Sequence, residues 1–216
     1  MKNTVIFDLD GTLLDTLVDL WEATNYAMRE SGFPERTLDE IRRFVGNGVR
    51  VLVRRALPPD TPDDEYEKAY ALFRQYYKKN MLNNTRPYDG VNGMLRNLNK
   101  AGIKTAIVTN KADFAAIPLC RNLFPEVETV IGTNENIASK PDPCGVNKAL
   151  EILNSSGDEA YYVGDCEVDA ETAANSGLDL ILVSWGFRTK DELEKMGFKS
   201  YVSTPDELEN MIIFDK

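Results

Sequence analysis

Short apolar runs, each about the length of one buried strand, constrain the fold of this chain more than any other feature. Five such runs occur, at Val5–Phe7, Thr105–Val108, Val127–Ile131, Tyr161–Val163 and Leu180–Val183. Helical patterns accompany the last four runs, near residues 91–100, 113–123, 144–154 and 168–176. Runs of this length are typical of strands buried on both faces, and their alternation with helices predicts a parallel sheet. We therefore expect an α/β fold with a doubly wound parallel sheet.

One long segment, residues 16–85, interrupts this alternation with helical patterns alone. Its fourth predicted helix carries aromatic residues at Tyr66, Tyr70, Phe73 and Tyr77. Such a stripe is more typical of a bundle core than of a surface that binds a partner. We expect an α/β core domain formed by 1–15 and 86–216, and an inserted α-helical bundle cap domain formed by 16–85.

The chain contains no histidine, which excludes several classes of active site. Catalytic triads that use histidine, zinc sites with histidine ligands and histidine general bases are all ruled out. Proton transfer near neutral pH must then use carboxylates, lysine, tyrosine or cysteine. Any metal is expected to be a hard cation with oxygen ligands.

Charge and cysteine content indicate the cellular setting. There are 25 basic and 35 acidic residues, and the formal net charge of -10 argues against nucleic-acid and membrane partners. The three cysteines form no CxxC pair, and no apolar stretch is long enough to span a bilayer. Without a secretory leader, we expect a cytoplasmic protein with reduced thiols.

Two of the apolar runs end in pairs of carboxylates. Asp8 and Asp10 follow the first run, and Asp165 and Asp169 follow the fourth. Turn formation or helix capping can account for single residues of this kind, but not for two strands that end alike. Parallel strands present their carboxyl ends at one edge of the sheet, so up to four carboxylates are expected to meet there. A divalent cation would relieve their mutual repulsion.

Two weaker signals point to a phosphate site. Thr109 and Asn110 end the second run, and a helix is expected to begin directly after them, which would form an anion site at its N-terminus. Lys140 precedes Pro141, which favours an extended backbone at the lysine. Helix capping and a solvent-exposed lysine are the structural alternatives for these two signals.

In their order along the chain, these segments resemble the four motifs of the haloacid dehalogenase superfamily of phosphotransferases. The matching segments are Asp8–Thr12, Thr109, Lys140 and Gly164–Asp169. The insert resembles the helical-bundle cap of one subgroup. The resemblance implies a Rossmann-like core and phosphoryl transfer to a carboxylate of the enzyme.

The resemblance also implies a role for each matching residue. Asp8 would be the nucleophile, and Asp10 the general acid and base. Catalysis would also use Thr109 and Lys140. Phosphate contacts are implied for Gly11, Thr12, Thr109, Asn110 and Lys140. Mg²⁺ would be held by Asp8, Asp10 and Asp165, with Asp169 in support.

Further details favour one subgroup. Asp10 favours hydrolysis of a phosphate ester, because members that cleave halides or phosphonates lack it. Phe44–Arg50, Arg86–Val91 and Ser184–Phe187 resemble segments of phosphoglycolate phosphatases. Pyrophosphatases and 5'-nucleotidases with the same cap share several of these marks and remain alternatives. A sugar phosphomutase is less favoured, since those enzymes commonly place a histidine in the cap.

Two residues need separate comment. Arg50 follows the glycine-rich turn of the cap and is our candidate for binding a substrate anion, such as the carboxylate of phosphoglycolate. Cys166 stands where the family usually has serine, a stronger hydrogen-bonding group. The expected partner is a small phosphorylated metabolite, and a monomer or weak homodimer would be sufficient for the chemistry.

Overall fold

The computed structural model describes residues 2–214 of the 216-residue chain. The chain divides into two compact units, one formed by Met1–Leu14 and Pro87–Lys216 and the other by Asp15–Arg86. The first contains the sheet and the second is helical. Assignment of these units as core and cap remains a prediction.

A parallel sheet of five strands is the centre of the larger unit. Its strands are β1 (Thr4–Phe7), β4 (Lys104–Ala112), β5 (Thr129–Thr133), β6 (Ala160–Gly164) and β7 (Asp179–Leu182). Two short strands, β2 (Leu14–Asp15) and β3 (Arg86–Pro87), pair with each other where the chain leaves and re-enters this unit. The order β5-β4-β1-β6-β7 confirms the predicted α/β fold with a parallel sheet.

The position of β1 determines where the site forms. β1 pairs with β4 on one side and with β6 on the other. Because all three strands are parallel, the residues after β1 lie between those at the ends of β4 and β6. The segments that carry Asp8, Thr109 and Asp165 therefore converge at one edge of the sheet.

Helices connect the strands and form the smaller unit. Those of the smaller unit are α1 (Leu17–Glu30), α2 (Leu38–Phe44), α3 (Val49–Ala56) and α4 (Asp63–Asn80). Those of the larger unit are α5 (Val91–Lys100), α6 (Asp113–Leu123), α7 (Cys144–Leu153), α8 (Glu167–Ser176), α9 (Lys190–Lys195) and α10 (Pro205–Phe214). No helix within residues 2–214 is both long and apolar enough to cross a bilayer.

Both faces of the sheet are covered by apolar side chains. In β1, Val5 and Phe7 pack with residues of α5, α6 and α10, whereas Ile6 packs with residues of α7 and α8. Successive strand residues point to opposite faces, so a run of consecutive apolar residues is what a doubly covered strand requires. Because both faces of the sheet are covered by packed helices, the strand ends are held in fixed positions.

The predicted strand at Val127–Ile131 is shifted, since β5 covers Thr129–Thr133, and the predicted end of β4 is wrong in a way that changes the local structure of the site. β4 continues to Ala112, which pairs with Thr133 of β5 after an irregularity that begins at Val108. α6 begins only at Asp113. Thr109 and Asn110 therefore lie in an irregular stretch of strand. The prediction from the sequence, which placed them at a helix N-terminus, is wrong.

The aromatic stripe of α4 belongs to the interior of the smaller unit. Tyr66, Phe73 and Tyr77 are buried, while Tyr70 is half-buried. Phe73 stacks on Tyr77 with ring centroids 5.4 Å apart. These contacts favour the core interpretation of the stripe over a partner-binding surface.

A buried carboxylate joins the two ends of the smaller unit. Asp19 of α1 accepts hydrogen bonds from the backbone N–H groups of Asn84 (3.0 and 3.1 Å) and Thr85 (2.8 Å). It also accepts from Asn84 Nδ2 at 2.9 Å and Thr85 Oγ1 at 2.7 Å. One carboxylate thus satisfies four donors just before β3.

We predict that Asp19→Asn lowers the free energy of unfolding by about 2–3 kcal/mol. The N–H groups of the new amide would face the N–H and O–H donors of Asn84 and Thr85, so some of these hydrogen bonds would be lost. Urea denaturation measures the change. Asp60→Asn, at an exposed position of the same unit, is the matched control and should change stability by less than about 0.5 kcal/mol. Equal stability of the two variants would contradict the anchoring role of Asp19.

Candidate active site

A buried ammonium group lies at the centre of the site. Lys140 Nζ donates to Asp8 Oδ1 at 2.6 Å, to Asp169 Oδ1 at 2.7 Å and to the hydroxyl of Tyr162 at 3.1 Å. Lys140 and its three partners are all buried. One cation therefore joins the carboxylate after β1 to the carboxylate in the first turn of α8.

The backbone of Lys140 is held by the side chain of Asn110. Asn110 Oδ1 accepts from the Lys140 N–H at 2.7 Å, and Asn110 Nδ2 donates to the Lys140 carbonyl at 3.2 Å. This reciprocal pair fixes the loop before α7 against the end of β4. The sequence suggested a phosphate contact for Asn110 but did not predict this positioning contact.

The carboxylate of Asp169 is fully occupied by donors of the protein. Its Oδ2 accepts from the backbone N–H groups of Asp165 (3.1 Å) and Cys166 (3.2 Å), and from Cys166 Sγ (3.1 Å). Its Oδ1 accepts from Lys140. Cys166 thus contributes a side-chain donor to Asp169, and both oxygens of Asp169 accept hydrogen bonds from the protein.

Asp165 is held so that one of its oxygens remains available. Its Oδ2 accepts from the backbone N–H of Phe187 at 2.6 Å. No group within residues 2–214 donates a hydrogen bond to Asp165 Oδ1, and the same holds for Asp8 Oδ2. Gly11, at φ +95°, lies so close that a Cβ there would be 2.6 Å from Asp165 Oδ2.

Burial and crowding of negative charge perturb these groups strongly. Burial, with a smaller contribution from Asp169, raises the pKa of Asp8 to about 7 even though Lys140 opposes the shift. Burial and the charges of Asp169 and Asp8 raise the pKa of Asp165. Burial alone would lower the pKa of Lys140, but the adjacent carboxylates raise it well above its usual value. The lysine is therefore a permanent cation in this site.

The second predicted carboxylate has a partner that the sequence did not indicate. Lys111 Nζ lies 2.9 Å from Asp10 Oδ1 and 3.0 Å from Asp10 Oδ2, and the lysine side chain is 2% exposed. Lys111 directly follows Thr109 and Asn110, yet only the irregular course of β4 directs it toward Asp10. The sequence signal that could have identified Lys111 is a lysine placed directly after Thr109 and Asn110, at the end of an apolar strand.

The remaining predicted residues occupy varied positions. Thr109 Oγ1 accepts from the backbone N–H of Lys111 at 3.2 Å. Thr12 is fully buried, and its hydroxyl has no partner among the described residues. Arg50 belongs to the helical unit, where it pairs with Glu67 at 2.8 Å and lies over the ring of Tyr70. The phosphate-binding roles of these three residues remain predictions.

The donor set is compatible with a hard divalent cation. Side-chain ligand atoms of Asp165, Cys166 and Asp169 lie within 4.8 Å of one another. Burial raises the pKa of the Cys166 thiol, which disfavours the thiolate that a soft metal requires. Carboxylate oxygens such as those of Asp8 and Asp165, by contrast, are the type of ligand that Mg²⁺ prefers.

Residues 5–183 match the profile of the haloacid dehalogenase-like hydrolases. The chain belongs to this family. The matched range includes both carboxylate pairs, Lys140 and the helical insert. The family predicted from the four motifs is therefore confirmed.

Curated relatives and a solved structure agree with this family. Phosphoglycolate phosphatase of Nitrosospira multiformis is 35% identical over 189 residues, which cover 85% of this chain and 83% of the relative. The enzyme of Rhodobacter capsulatus is 36% identical over 193 residues, covering 87% of each. A crystal structure from Lactobacillus delbrueckii subsp. bulgaricus, provisionally assigned as phosphoglycolate phosphatase, has a TM-score of 0.94 and 34% identity, covering 98% of this chain and 99% of the other. The prediction of a phosphatase-type enzyme is confirmed.

We predict that Lys140→Met lowers the free energy of unfolding of the metal-free protein by about 3–5 kcal/mol, because two buried carboxylates lose their shared cation. Urea denaturation in EDTA measures the change. Lys148→Met removes an exposed ion pair with Glu151 and should cost at most about 1 kcal/mol. A Lys140 variant as stable as the Lys148 control would contradict the proposed electrostatic role.

Proposed function

We propose that the protein is a Mg²⁺-dependent phosphomonoester hydrolase that acts through an aspartyl phosphate on Asp8. Asp8 carries this proposal, because it is buried after the end of β1, its Oδ1 accepts from Lys140, and its Oδ2 has no hydrogen-bond donor among residues 2–214. Such a carboxylate is oriented by one oxygen and can attack with the other. The phosphatase names of the relatives support the same reaction class.

In the first half of the reaction, an oxygen of Asp8 attacks phosphorus and the bond to the leaving oxygen breaks. Lys140 holds the attacking carboxylate and balances the negative charge that accumulates around the phosphoryl group. Asp10 donates a proton to the leaving oxygen, so the alcohol departs neutral. Thr109 and the backbone amide of Asn110 would bind phosphoryl oxygens.

In the second half, water attacks the phosphorus of the aspartyl phosphate. Asp10, now a carboxylate, accepts a proton from that water, and the carboxylate of Asp8 is released with inorganic phosphate. Lys111 contacts both oxygens of Asp10 and holds the group at the edge of the site. Asp10 therefore acts first as the general acid and then as the general base.

The ligands proposed for Mg²⁺ are Asp8, the backbone carbonyl of Asp10, and Asp165. Asp169 would support them by fixing Lys140 and the backbone of Asp165. When bound, the cation would supply positive charge that offsets the carboxylates and the phosphoryl oxygens. The four carboxylates of the site outnumber its two lysines, Lys111 and Lys140. The resulting net negative charge is consistent with a requirement for a bound cation.

The substrate that we favour is 2-phosphoglycolate, converted to glycolate and phosphate. Relatives named phosphoglycolate phosphatase at 35% and 36% identity over most of the chain support this choice. Pyrophosphate and nucleoside monophosphates are the alternatives, and a sugar phosphomutase is less favoured because the chain has no histidine. The role of Arg50 toward the substrate carboxylate stays a prediction.

A substrate panel tests the proposal. Phosphoglycolate, pyrophosphate, nucleoside monophosphates and sugar phosphates are compared by kcat/KM in the presence of Mg²⁺ and with excess EDTA. The proposal requires the highest kcat/KM for phosphoglycolate and loss of turnover in EDTA. A preference for pyrophosphate or a nucleotide would select an alternative, and full activity in EDTA would reject the metal site.

We predict that Asp8→Asn abolishes turnover, with a loss of roughly 10⁴-fold or more in kcat, because an amide cannot form the acyl phosphate. Steady-state assays with phosphoglycolate and with an aryl phosphate measure the loss. Asp158→Asn, at a surface position, is the control and should retain the activity of the unmodified protein. Substantial turnover by a preparation free of deamidated protein would rule out Asp8 as the nucleophile.

We also predict that stabilisation by Mg²⁺ increases with pH. The raised pKa of Asp8, about 7, means that the folded metal-free protein binds this proton more tightly than the unfolded chain. Its contribution to stability is fully present below the usual carboxyl pKa and is lost as the pH rises through about 7. Mg²⁺ binds the ionised form and should restore stability mainly at the higher pH.

Urea denaturation from about pH 5 to about pH 8, with EDTA or with saturating Mg²⁺, measures this effect. The stabilisation by Mg²⁺ should be larger at the upper end of this range. Asp8→Asn removes one titrating group and should reduce the pH dependence, while Asp165, whose pKa is also raised, accounts for what remains. Equal stabilisation at both ends in the unmodified protein would contradict the prediction.

A further inference from the structure

The turn that follows β7, residues 184–188, contacts the site at three points that the mechanism above does not use. The indole Nε1 of Trp185 donates to the carbonyl of Thr12 at 3.0 Å. The N–H of Phe187 donates to Asp165 Oδ2 at 2.6 Å. The guanidinium of Arg188 pairs with Glu167. The turn thereby reaches the loop after β1, the end of β6 and the start of α8.

Glycine residues allow the turn to approach Asp165 closely. A Cβ at Gly186 would lie 2.3 Å from the Gly11 carbonyl oxygen and 2.4 Å from Asp165 Cβ. A Cβ at Gly11 would also lie 2.6 Å from Asp165 Oδ2. Two backbone segments therefore pack tightly against Asp165, and a shift of residues 184–188 would disturb the position of its carboxylate.

The ion pair of Arg188 with Glu167 fixes the far end of the turn. Arg188 Nε donates to Glu167 Oε2 at 2.9 Å, and Nη2 donates to Glu167 Oε1 at 2.8 Å. The pair is bidentate, and Arg188 is buried, whereas the side chain of Glu167 is 39% exposed. Glu167 begins α8, two residues after Asp165. The pair thus joins the turn to the segment that contains the proposed metal ligand.

We propose that the turn 184–188, anchored by the Arg188–Glu167 pair, is a positioning element that sets the orientation of Asp165 for the divalent cation. This inference rests on the proposed function, because it concerns the same metal site. The N–H of Phe187 occupies Oδ2, so Oδ1 would be the oxygen available to the cation. Neither Arg188 nor Glu167 is itself a ligand, and each acts through the backbone of the turn.

Arg188→Met distinguishes positioning from simple electrostatics. Removal of a positive charge beside a cation site should tighten Mg²⁺ binding if only Coulomb forces matter. If the turn positions Asp165, binding should instead weaken roughly tenfold or more. The midpoint of the Mg²⁺-dependent rise in unfolding temperature, measured without substrate, reports affinity without depending on turnover.

The double variant Glu167→Gln with Arg188→Met removes the pair without a change in net charge. Its Mg²⁺ affinity should match that of Arg188→Met alone, because the two residues act as one unit. Glu151→Gln, which breaks an exposed pair in the same unit of the chain, is the matched control and should bind Mg²⁺ like the unmodified protein. Far-UV circular dichroism checks that each variant folds. If Arg188→Met does not fold, the Mg²⁺ affinity of the double variant provides the test.

The outcomes separate this inference from the proposed function. Weaker binding by Arg188→Met and by the double variant, with normal binding by the control, supports the positioning role. Unchanged or tighter binding by both folded variants, with binding lost in Asp165→Asn, overturns the inference and leaves the metal site in place. Absence of any Mg²⁺ effect on the unmodified protein overturns both.

Discussion

The ammonium group of Lys140 is the interaction on which the geometry of the site depends. It lies between Asp8 and Asp169, two carboxylates that are both removed from water. Without it, the ends of β1 and β6 would bring like charges together in a medium of low dielectric constant. Asn110 fixes the backbone of the lysine, so β4 also takes part in this balance.

Much of the fold could be predicted from the sequence, because its strands are buried on both faces. A run such as Val5–Phe7 has no polar face to expose, and only a sheet covered on both sides accommodates it. The end of β4 was placed wrongly because its last residues are polar and resemble a turn. Pairing of Ala112 with Thr133 is a tertiary contact that no local pattern indicates.

The candidate site could be predicted only in part from the sequence, because many of its contacts are tertiary. Carboxylates at the ends of strands are recognisable from spacing alone, whereas their partners come from distant segments. Tyr162 is hidden within an apolar strand, and its hydroxyl reaches Lys140 only through the register of β6 beside β1. Lys111 reaches Asp10 across 101 residues of sequence, and only the folded sheet joins them.

The central position of β1 also bears on how the protein emerges from the ribosome. β1 is synthesised before the helical unit, whereas its neighbour β4 is synthesised only after that unit, and β6 later still. Until both arrive, the two edges of an apolar strand have no pairing partners, which is the condition that favours wrong association between chains. The turn after β7 is translated after the other segments that contact Asp165, so the proposed metal site can be assembled only once this turn has been made. A nascent chain therefore cannot contain the complete candidate site before its five-stranded sheet is complete.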